Sequence, residues 1–227
     1  MIHDLLSYTQ VMFSGDINLR DITSRHIIHC PYYVNFYNKD KNSLERSINT
    51  LTGILKTKCS YIVMHMGSYD GDMLSYKDRC LLLYNSIPLE DRHRILLENS
   101  AGQGNVRGYN SNELIPILSS FRDFGVCIDT QHSFAGGLID FRDNWLKPLH
   151  AIVSTFNVRV LHLNDSKVKY GSRVDRHENL KQGYIWKNNK KNLYKLIHYC
   201  LDHNIIIVCE TPDDESDMEM IREMFTE

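Results

Sequence analysis

Residues 124–132, "FGVCIDTQH", are the clearest indication of the fold. The stretch is short and nearly continuous in apolar character, which is typical of a strand buried on both faces of a sheet. Six other stretches share this pattern: "YTQVMFSG" (8–15), "RHIIHCPY" (25–32), "CSYIVMHMG" (59–67), "HRILLENS" (93–100), "VRVLHLNDS" (158–166) and "NIIIVCETP" (204–212). The sequence therefore predicts seven buried strands.

Most gaps between these strands are long enough for a helix. In residues 42–58, for example, Leu44, Ile48, Leu51 and Leu55 fall on one helical face. Alternating strands and helices predict an α/β fold with a parallel sheet, and seven strands are one short of a closed (β/α)₈ barrel of the TIM type.

Length and composition favour one domain over residues 1–227, with 42% hydrophobic and 24% charged residues. The N-terminus "MIHDLLSYTQ" lacks the features of a signal peptide, and no apolar run approaches the roughly 18 residues of a membrane span. The six cysteines form no CxxC pair and suggest reduced, buried thiols. We expect an intracellular protein, in cytoplasm or nucleus, that is neither secreted nor attached to a membrane.

Polar groups that can bind metal lie at or just after the ends of the predicted strands. They are His29, His65, Glu98, Asp129, His132, His162 and Glu210. In a parallel barrel the carboxyl ends of the strands meet on one face, where active sites lie. Before the last strand, the stretch "DRHENLKQG" (175–183) adds Asp175 and His177, and we expect it to be a loop without a core residue.

Each of these residues has an ordinary explanation when taken alone. A histidine at a strand end is usually hydrogen-bonded within the structure, and Asp129 could cap the following helix. These explanations do not account for the recurrence of such residues at successive strand ends. Several charges packed together without cations would cost folding free energy. Nine nitrogen and oxygen ligands without a thiolate suit catalytic zinc, manganese or iron and are enough for three ions. Clustered ions of this kind favour a phosphodiester substrate.

Seven motifs in this chain resemble the endonuclease IV family of apurinic/apyrimidinic (AP) endonucleases. They are "HCPYYVN" (29–35), "VMHMG" (63–67), "LLENSAGQG" (96–104), "GVCIDTQH" (125–132), "LHLNDSK" (161–167), "DRHENLKQG" (175–183) and "ETP" (210–212). The resemblance implies a (β/α)₈ barrel with three zinc ions. It also implies a monomeric DNA-repair hydrolase that cuts duplex DNA on the 5′ side of an abasic site and leaves a 3′-hydroxyl.

The resemblance assigns the ligands to three ions. It implies that His29, His65 and Glu98 hold the first, that Glu98, Asp129, His162 and Glu210 hold the second, and that His132, Asp175 and His177 hold the third. Glu98 is then the shared, catalytic carboxylate, and no side-chain nucleophile is required. Manganese or iron could replace zinc at one or more positions.

Contacts with duplex DNA are expected from three places in the sequence. Tyr32 and Tyr33 occupy the position where the family inserts bulky side chains into the minor groove. The remaining expected contacts are Asn99, Gln103 and Gly104 in a glycine-rich loop, and Lys167 and Arg176 in a basic stretch.

Three features depart from the family pattern. The family begins with a further strand ahead of "YTQVMFSG", so we expect a barrel that lacks its first strand. The loop "SGDINLRD" (14–21) lacks the usual proline followed by arginine. Lys181 occupies a position where the family has glycine, and a positive φ there would cost about 1 kcal/mol.

Two other functions fit the sequence. Sugar isomerases of the xylose isomerase type share the barrel and use two divalent metals, although they usually need a lysine beside the metals. The second alternative is a barrel that binds damaged DNA without cutting it.

Overall fold

The computed structural model describes residues 5–13 and 21–224. The strands are β1 (Thr9–Met12), β2 (His26–His29), β3 (Tyr61–His65), β4 (Ile95–Glu98), β5 (Gly125–Asp129), β6 (Val158–His162), β7 (Asp165–Ser166), β8 (His177–Glu178) and β9 (Ile206–Val208). The helices are α1 (Lys41–Leu55), α2 (Met73–Ser86), α3 (Ser111–Ser120), α4 (Thr130–Ala135), α5 (Leu146–Thr155), α6 (Lys190–Asp202) and α7 (Asp214–Glu223), with a 3₁₀ helix at Leu89–Arg94.

The main sheet confirms the predicted barrel. Its order is β1-β2-β3-β4-β5-β6-β9, and every neighbouring pair is parallel. Each strand therefore lies next to its predecessor in the sheet, and all seven carboxyl ends lie on one face. Within the described residues, β1 and β9 have no strand partner on their outer edges, so the barrel is nearly closed, with a seam between these two strands.

The two faces of each strand pack into different layers. Ile27, Val63, Leu96 and Val160 fill the interior of the barrel, whereas alternate residues such as Ile28 contact the surrounding helices. Because both faces of β2 to β6 are largely buried, these strands read as continuous apolar runs. The edge strand β1 differs from the expectation of seven buried strands, since Thr9 and Met12 are exposed.

A cavity of about 760 Å³ lies along the seam between β1 and α7, with Thr9, Met12, Val208 and Met218 among its lining residues. The guanidinium of Arg222 crosses this region and donates a hydrogen bond to the carbonyl oxygen of Leu6. The expectation for the loop 14–21 falls outside the described residues except for Asp21. Among residues 5–13 and 21–224, no helix is long and apolar enough to cross a membrane.

The predicted helix at 42–58 begins one residue earlier and ends at Leu55. Asp40 and Ser43 form a capping box at its start, which satisfies free backbone N–H groups. At its end, the guanidinium of Arg94 donates to the carbonyl oxygens of Leu55, Thr57 and Cys59. The bond to Leu55 satisfies one of the last carbonyls of the helix, which have no partner within it.

The predicted strand at 158–166 is divided into β6 and β7, and β7 pairs antiparallel with β8. The division places Asp165 beside the loop that follows β8. Its buried carboxylate accepts hydrogen bonds from the backbone N–H groups of Gly183 and Ile185. A Cβ at Gly183 would clash with this carboxylate, so the close approach requires glycine.

The loop 175–183 differs from expectation at one residue and agrees at another. Leu180 is buried, so this stretch does contribute to the core. Lys181 has a φ of 65°, which confirms a left-handed conformation at the position where glycine was expected.

Candidate metal centre

The barrel brings the predicted strand-end ligands together on its carboxyl face. β2, β3, β4, β5 and β6 end respectively at His29, His65, Glu98, Asp129 and His162. Strand register places His65 opposite Glu98 and Asp129 opposite His162. The polar ends thus follow one another around the rim of the barrel.

Glu98 is the centre of this cluster and is buried. Its Oε2 lies 3.2 Å from His29 Nε2 and 3.4 Å from His65 Nδ1. Its Oε1 lies 2.9 Å from His162 Nδ1 and 3.4 Å from His132 Nδ1. A carboxylate with imidazoles on both sides has the geometry to bridge two cations.

Among the overlapping groups of side chains in the described residues that could each hold a metal ion, three consist of histidines and carboxylates alone. They are His29, His65 and Glu98; then Glu98, Asp129, His162 and Glu210; then Asp129, His132 and His177. Asp129 therefore faces the third group as well as the second. Asp175 also faces the third group, with carboxylate oxygens 3.4 Å from His132 Nε2 and 3.4 Å from His177 Nε2.

Several separations in the first group and around Asp175 suit zinc. Ligand atoms at ~2.0–2.1 Å from a tetrahedral zinc are about 3.3 Å from one another. The distances of 3.2 and 3.4 Å from Glu98 to His29 and His65 match this value. The two distances of 3.4 Å around Asp175 do so as well.

Three histidines of the cluster have one ring nitrogen next to a backbone carbonyl oxygen. His29 Nδ1 lies 2.9 Å from the oxygen of Cys30, His132 Nδ1 lies 3.0 Å from that of Asn99, and His177 Nδ1 lies 3.1 Å from that of Glu210. A ring nitrogen that donates to a carbonyl leaves the other nitrogen free to bind metal. His177 Nε2 is buried and has no hydrogen-bond partner, as expected of a nitrogen whose partner is a cation.

The electrostatics of the cluster explain how its buried charges coexist. Burial opposes ionisation of Glu98, but the surrounding imidazoles outweigh it and hold the pKa of this carboxyl well below its usual range. Burial also lowers the pKa of His132 and His162, yet the neighbouring acidic groups raise both well above 6.5. Protons on these imidazoles neutralise the carboxylates, and divalent cations would displace them.

His65 and Cys127 have a different character. Burial lowers the pKa of His65 to about 4, so its imidazole is neutral at pH 7 and free to act as a ligand. The structure also places Cys127 beside Glu98 and His162, which the sequence did not predict. Burial raises the pKa of this thiol to about 12, so it is an uncharged group beside the cluster.

Asn164 is a second residue that sequence reasoning missed. Its buried side chain donates to Asp129 Oδ2 at 2.6 Å and accepts from the backbone N–H of Glu210 at 2.9 Å. It therefore orients two ligands that come from different strands. In the sequence, the feature that could have indicated this role is the position of Asn164 in "LHLNDSK", two residues after His162.

The family described as a xylose isomerase-like TIM barrel matches residues 18–225. The protein named probable endonuclease 4 of Cenarchaeum symbiosum is 35% identical over 203 residues, which cover 83% of this chain and 71% of that protein. The protein of the same name from Aquifex aeolicus is 30% identical over 223 residues, covering 91% of this chain and 79% of that protein. This chain belongs to the endonuclease IV family.

A solved structure of endonuclease IV from Thermus thermophilus matches with a TM-score of 0.72 and 25% identity, covering 99% of this chain and 90% of that one. A D-tagatose 3-epimerase-like protein also matches, with a TM-score of 0.64 and 14% identity, covering 98% of this chain and 94% of that one. The second likeness shows the fold alone.

In this member of the endonuclease IV family, the two predicted DNA-contacting tyrosines have different surroundings. Tyr32 is 72% exposed and stacks on the ring of His65, with centroids 4.8 Å apart and an interplanar angle of 5°. Tyr33 is 37% exposed and lies against α1, where Arg46 covers its ring and its hydroxyl is 3.3 Å from the hydroxyl of Thr50. Tyr32 is therefore the tyrosine that faces the space above the candidate metal centre.

The other predicted contacts are divided between surface and interior. Gln103, Gly104, Lys167 and Arg176 are exposed, and Gln103 accepts a hydrogen bond from the backbone of Asp175. Asn99 differs from expectation because it is fully buried. Its amide donates to Ser133 Oγ and accepts from the backbone N–H of Asp129, so it supports a candidate ligand instead of facing DNA.

Proposed function

We propose that this endonuclease IV relative is a zinc-dependent AP endonuclease of base excision repair. It would hydrolyse the phosphodiester 5′ to an abasic site in duplex DNA and leave a 3′-hydroxyl. The observation that carries the proposal is the buried cluster around Glu98, in which candidate ligands from five consecutive strands converge on the carboxyl face. Membership of the family supports the choice of substrate.

We assign the nine candidate ligands to three ions. His29, His65 and Glu98 would hold the first; Glu98, Asp129, His162 and Glu210 the second; His132, Asp175 and His177 the third. When bound, such ions activate water and stabilise the attacking and leaving oxygens of a phosphoryl displacement. Zinc fits the distances from Glu98 to His29 and His65 and those around Asp175, and manganese or iron fits the same nitrogen and oxygen donors.

The chain's own residues contribute orientation and charge. Glu98 lies between the first two groups and fixes their separation, while Asn99 and Asn164 hold Asp129 by its backbone and its carboxylate. Cys127, the thiol of this cluster, is held neutral by burial, so water is the nucleophile that the arrangement favours.

We propose that the DNA duplex lies across the face that carries Tyr32. The exposed ring of Tyr32 lies between the cavity above the metal centre and a neighbouring cavity of about 410 Å³. There it can stack against bases that have lost a partner at an abasic site. Arg176 also lines the cavity above the centre, and with exposed Lys167 it can contact phosphates.

We further propose that the chain forms one domain over residues 1–227, because its strands form one main sheet with a shared core. We propose that the protein is intracellular, since all six cysteines are free thiols, and that it acts as a monomer. A single species of about 26.5 kDa by light scattering is the expected result.

Each of the two alternative functions differs from the proposed nuclease in one observable feature. A sugar isomerase of this fold usually needs a lysine beside its metals, and the described residues that line the cavity over the cluster include Arg176 but no lysine. A non-catalytic barrel would shift an abasic duplex in a gel without nicking it.

The test uses the purified chain with a duplex that is labelled at one end and carries a single abasic-site analogue. The expected result is a nick on the 5′ side with a 3′-hydroxyl, absent from the same duplex without the lesion and from chelated protein. Glu98→Gln should abolish the nick, whereas Asp217→Asn, at a buried carboxylate that accepts from the backbone of Leu180, should not. Metal binding and a gel shift without nicking would overturn the proposal in favour of a binding protein.

A further inference from the structure

Gln10 is a residue of the edge strand β1, beside the seam of the barrel. Its side chain crosses toward the metal centre and contacts two candidate ligands. The Nε2 group donates a hydrogen bond to Glu210 Oε1, and Oε1 lies 2.8 Å from His162 Nε2. One amide therefore connects β1 to β6 and to the segment after β9.

We propose that Gln10 is a positioning residue that completes the second metal group across the seam. It fixes His162 with the proton on Nε2 and with Nδ1 turned toward the cluster, and it holds the carboxylate of Glu210 in place. The inference rests on the proposed metal site and names a residue that supports it.

The hydrogen-bonding capacity of the three side chains determines the arrangement. An amide oxygen only accepts, so His162 Nε2 must carry the proton that it donates to Gln10. The opposite amide orientation would place the oxygen of Gln10 against the carboxylate of Glu210, where neither group can donate. His162 Nδ1 is then the nitrogen left for a metal ion, and it lies 2.9 Å from both Glu98 Oε1 and Glu210 Oε2.

The location of Gln10 gives this contact its importance. Within the described residues no strand pairs with the outer edges of β1 and β9, so backbone hydrogen bonds do not join these strands at the level of the site. Glu210 is held from the other side by Asn164, which accepts its backbone N–H. Gln10 supplies the contact from β1, on the opposite side of the seam.

Supporting residues of this type usually change metal affinity by ~10–100-fold when they are removed. Gln10→Met keeps the volume and removes both hydrogen bonds. Thr9→Val, at the exposed neighbour on the same strand, is the matched control. Gln10→Glu keeps an acceptor for His162 but places a second carboxylate against Glu210.

The experiment titrates each chelated protein with zinc against a competing chelator and records ¹⁵N-histidine spectra. For Gln10→Met we expect one of the zinc sites to weaken about 10- to 100-fold. The His162 Nε2 proton should also exchange faster with solvent. Thr9→Val should match the wild type, and Gln10→Glu should retain the protected Nε2 proton while still binding the same zinc less tightly.

Unchanged zinc affinity in Gln10→Met would overturn the inference. So would an equal weakening of every site with a lower melting temperature, because that would mean that Gln10 only stabilises the edge strand. If Gln10→Met does not fold, the wild-type spectrum decides, since an unprotonated Nε2 on His162 excludes the proposed contact. A wild type that binds zinc but does not nick DNA would contradict the proposed function and leave this inference intact.

Discussion

Replacement of Glu98 by glutamine is the perturbation with the largest expected effect. The carboxylate oxygens of Glu98 lie within 3.4 Å of the imidazoles of His29, His65, His132 and His162. Glutamine keeps the shape, but it removes the charge and places an NH₂ group where an oxygen faced two ring nitrogens. The first two metal groups would therefore lose their shared ligand together.

The size of the expected loss of zinc affinity in Glu98→Gln follows from the burial of the Glu98 carboxylate. Removal of one partner from a buried, charged cluster costs ~3–5 kcal/mol. At about 1.36 kcal/mol for each factor of ten, this corresponds to a loss of roughly 10²–10⁴-fold in zinc affinity at the affected sites. Nicking of an abasic duplex should fall by at least the same factor at limiting zinc.

The assay measures bound zinc by competition with a chelator and nicking on the same preparation. Circular dichroism establishes that the variant is folded, and Asp217→Asn controls for the loss of a buried carboxylate outside the centre. Full zinc content in Glu98→Gln, with nicking within tenfold of the wild type, would refute the bridging role.

Three further predictions concern stability, pH and DNA binding. Lys181→Gly should raise the free energy of unfolding by about 1 kcal/mol, because lysine at a φ of 65° is strained. Denaturant titration measures this free energy, and an unchanged value would contradict the strain. For His132 and His162, the folded-state pKa lies well above 6.5, so their stabilisation is complete below about pH 6.5 and is lost as pH rises through the folded values. The melting temperature of chelated protein should therefore fall at alkaline pH, and a flat profile would exclude this linkage. Tyr32→Ala should leave zinc content and melting temperature unchanged but weaken binding to an abasic duplex by ~1–3 kcal/mol in a fluorescence titration. An equal loss of affinity for an intact duplex would argue against stacking at the lesion.

The strands and most of the site could be predicted because both depend on local patterns. Burial on two faces makes a strand such as β5 read as a continuous apolar run, and the following Asp129 and His132 identify its carboxyl end. The resemblance also identified Lys181 as a position where a positive φ would strain the backbone, and its φ is 65°.

The supporting contacts could not be predicted because they depend on pairing between distant segments. Gln10 is separated by about two hundred residues from Glu210, and nothing in β1 alone shows that its amide reaches the centre. Asn99 looked like a surface loop residue, but the backbone N–H of Asp129 needs a buried acceptor, and the amide of Asn99 supplies it. The division of the 158–166 stretch similarly depends on Asp165 meeting the backbone of Gly183.

The most direct test of the account is a titration of chelated protein with zinc in which nicking of a single-lesion duplex is measured at each ratio of zinc to chain. We expect no nicking without zinc and full activity only as the ratio approaches three, with every cut on the 5′ side of the abasic site. Undiminished nicking by chelated protein, or full activity at a ratio of one, would contradict the claim that a shared metal centre around Glu98 performs the reaction.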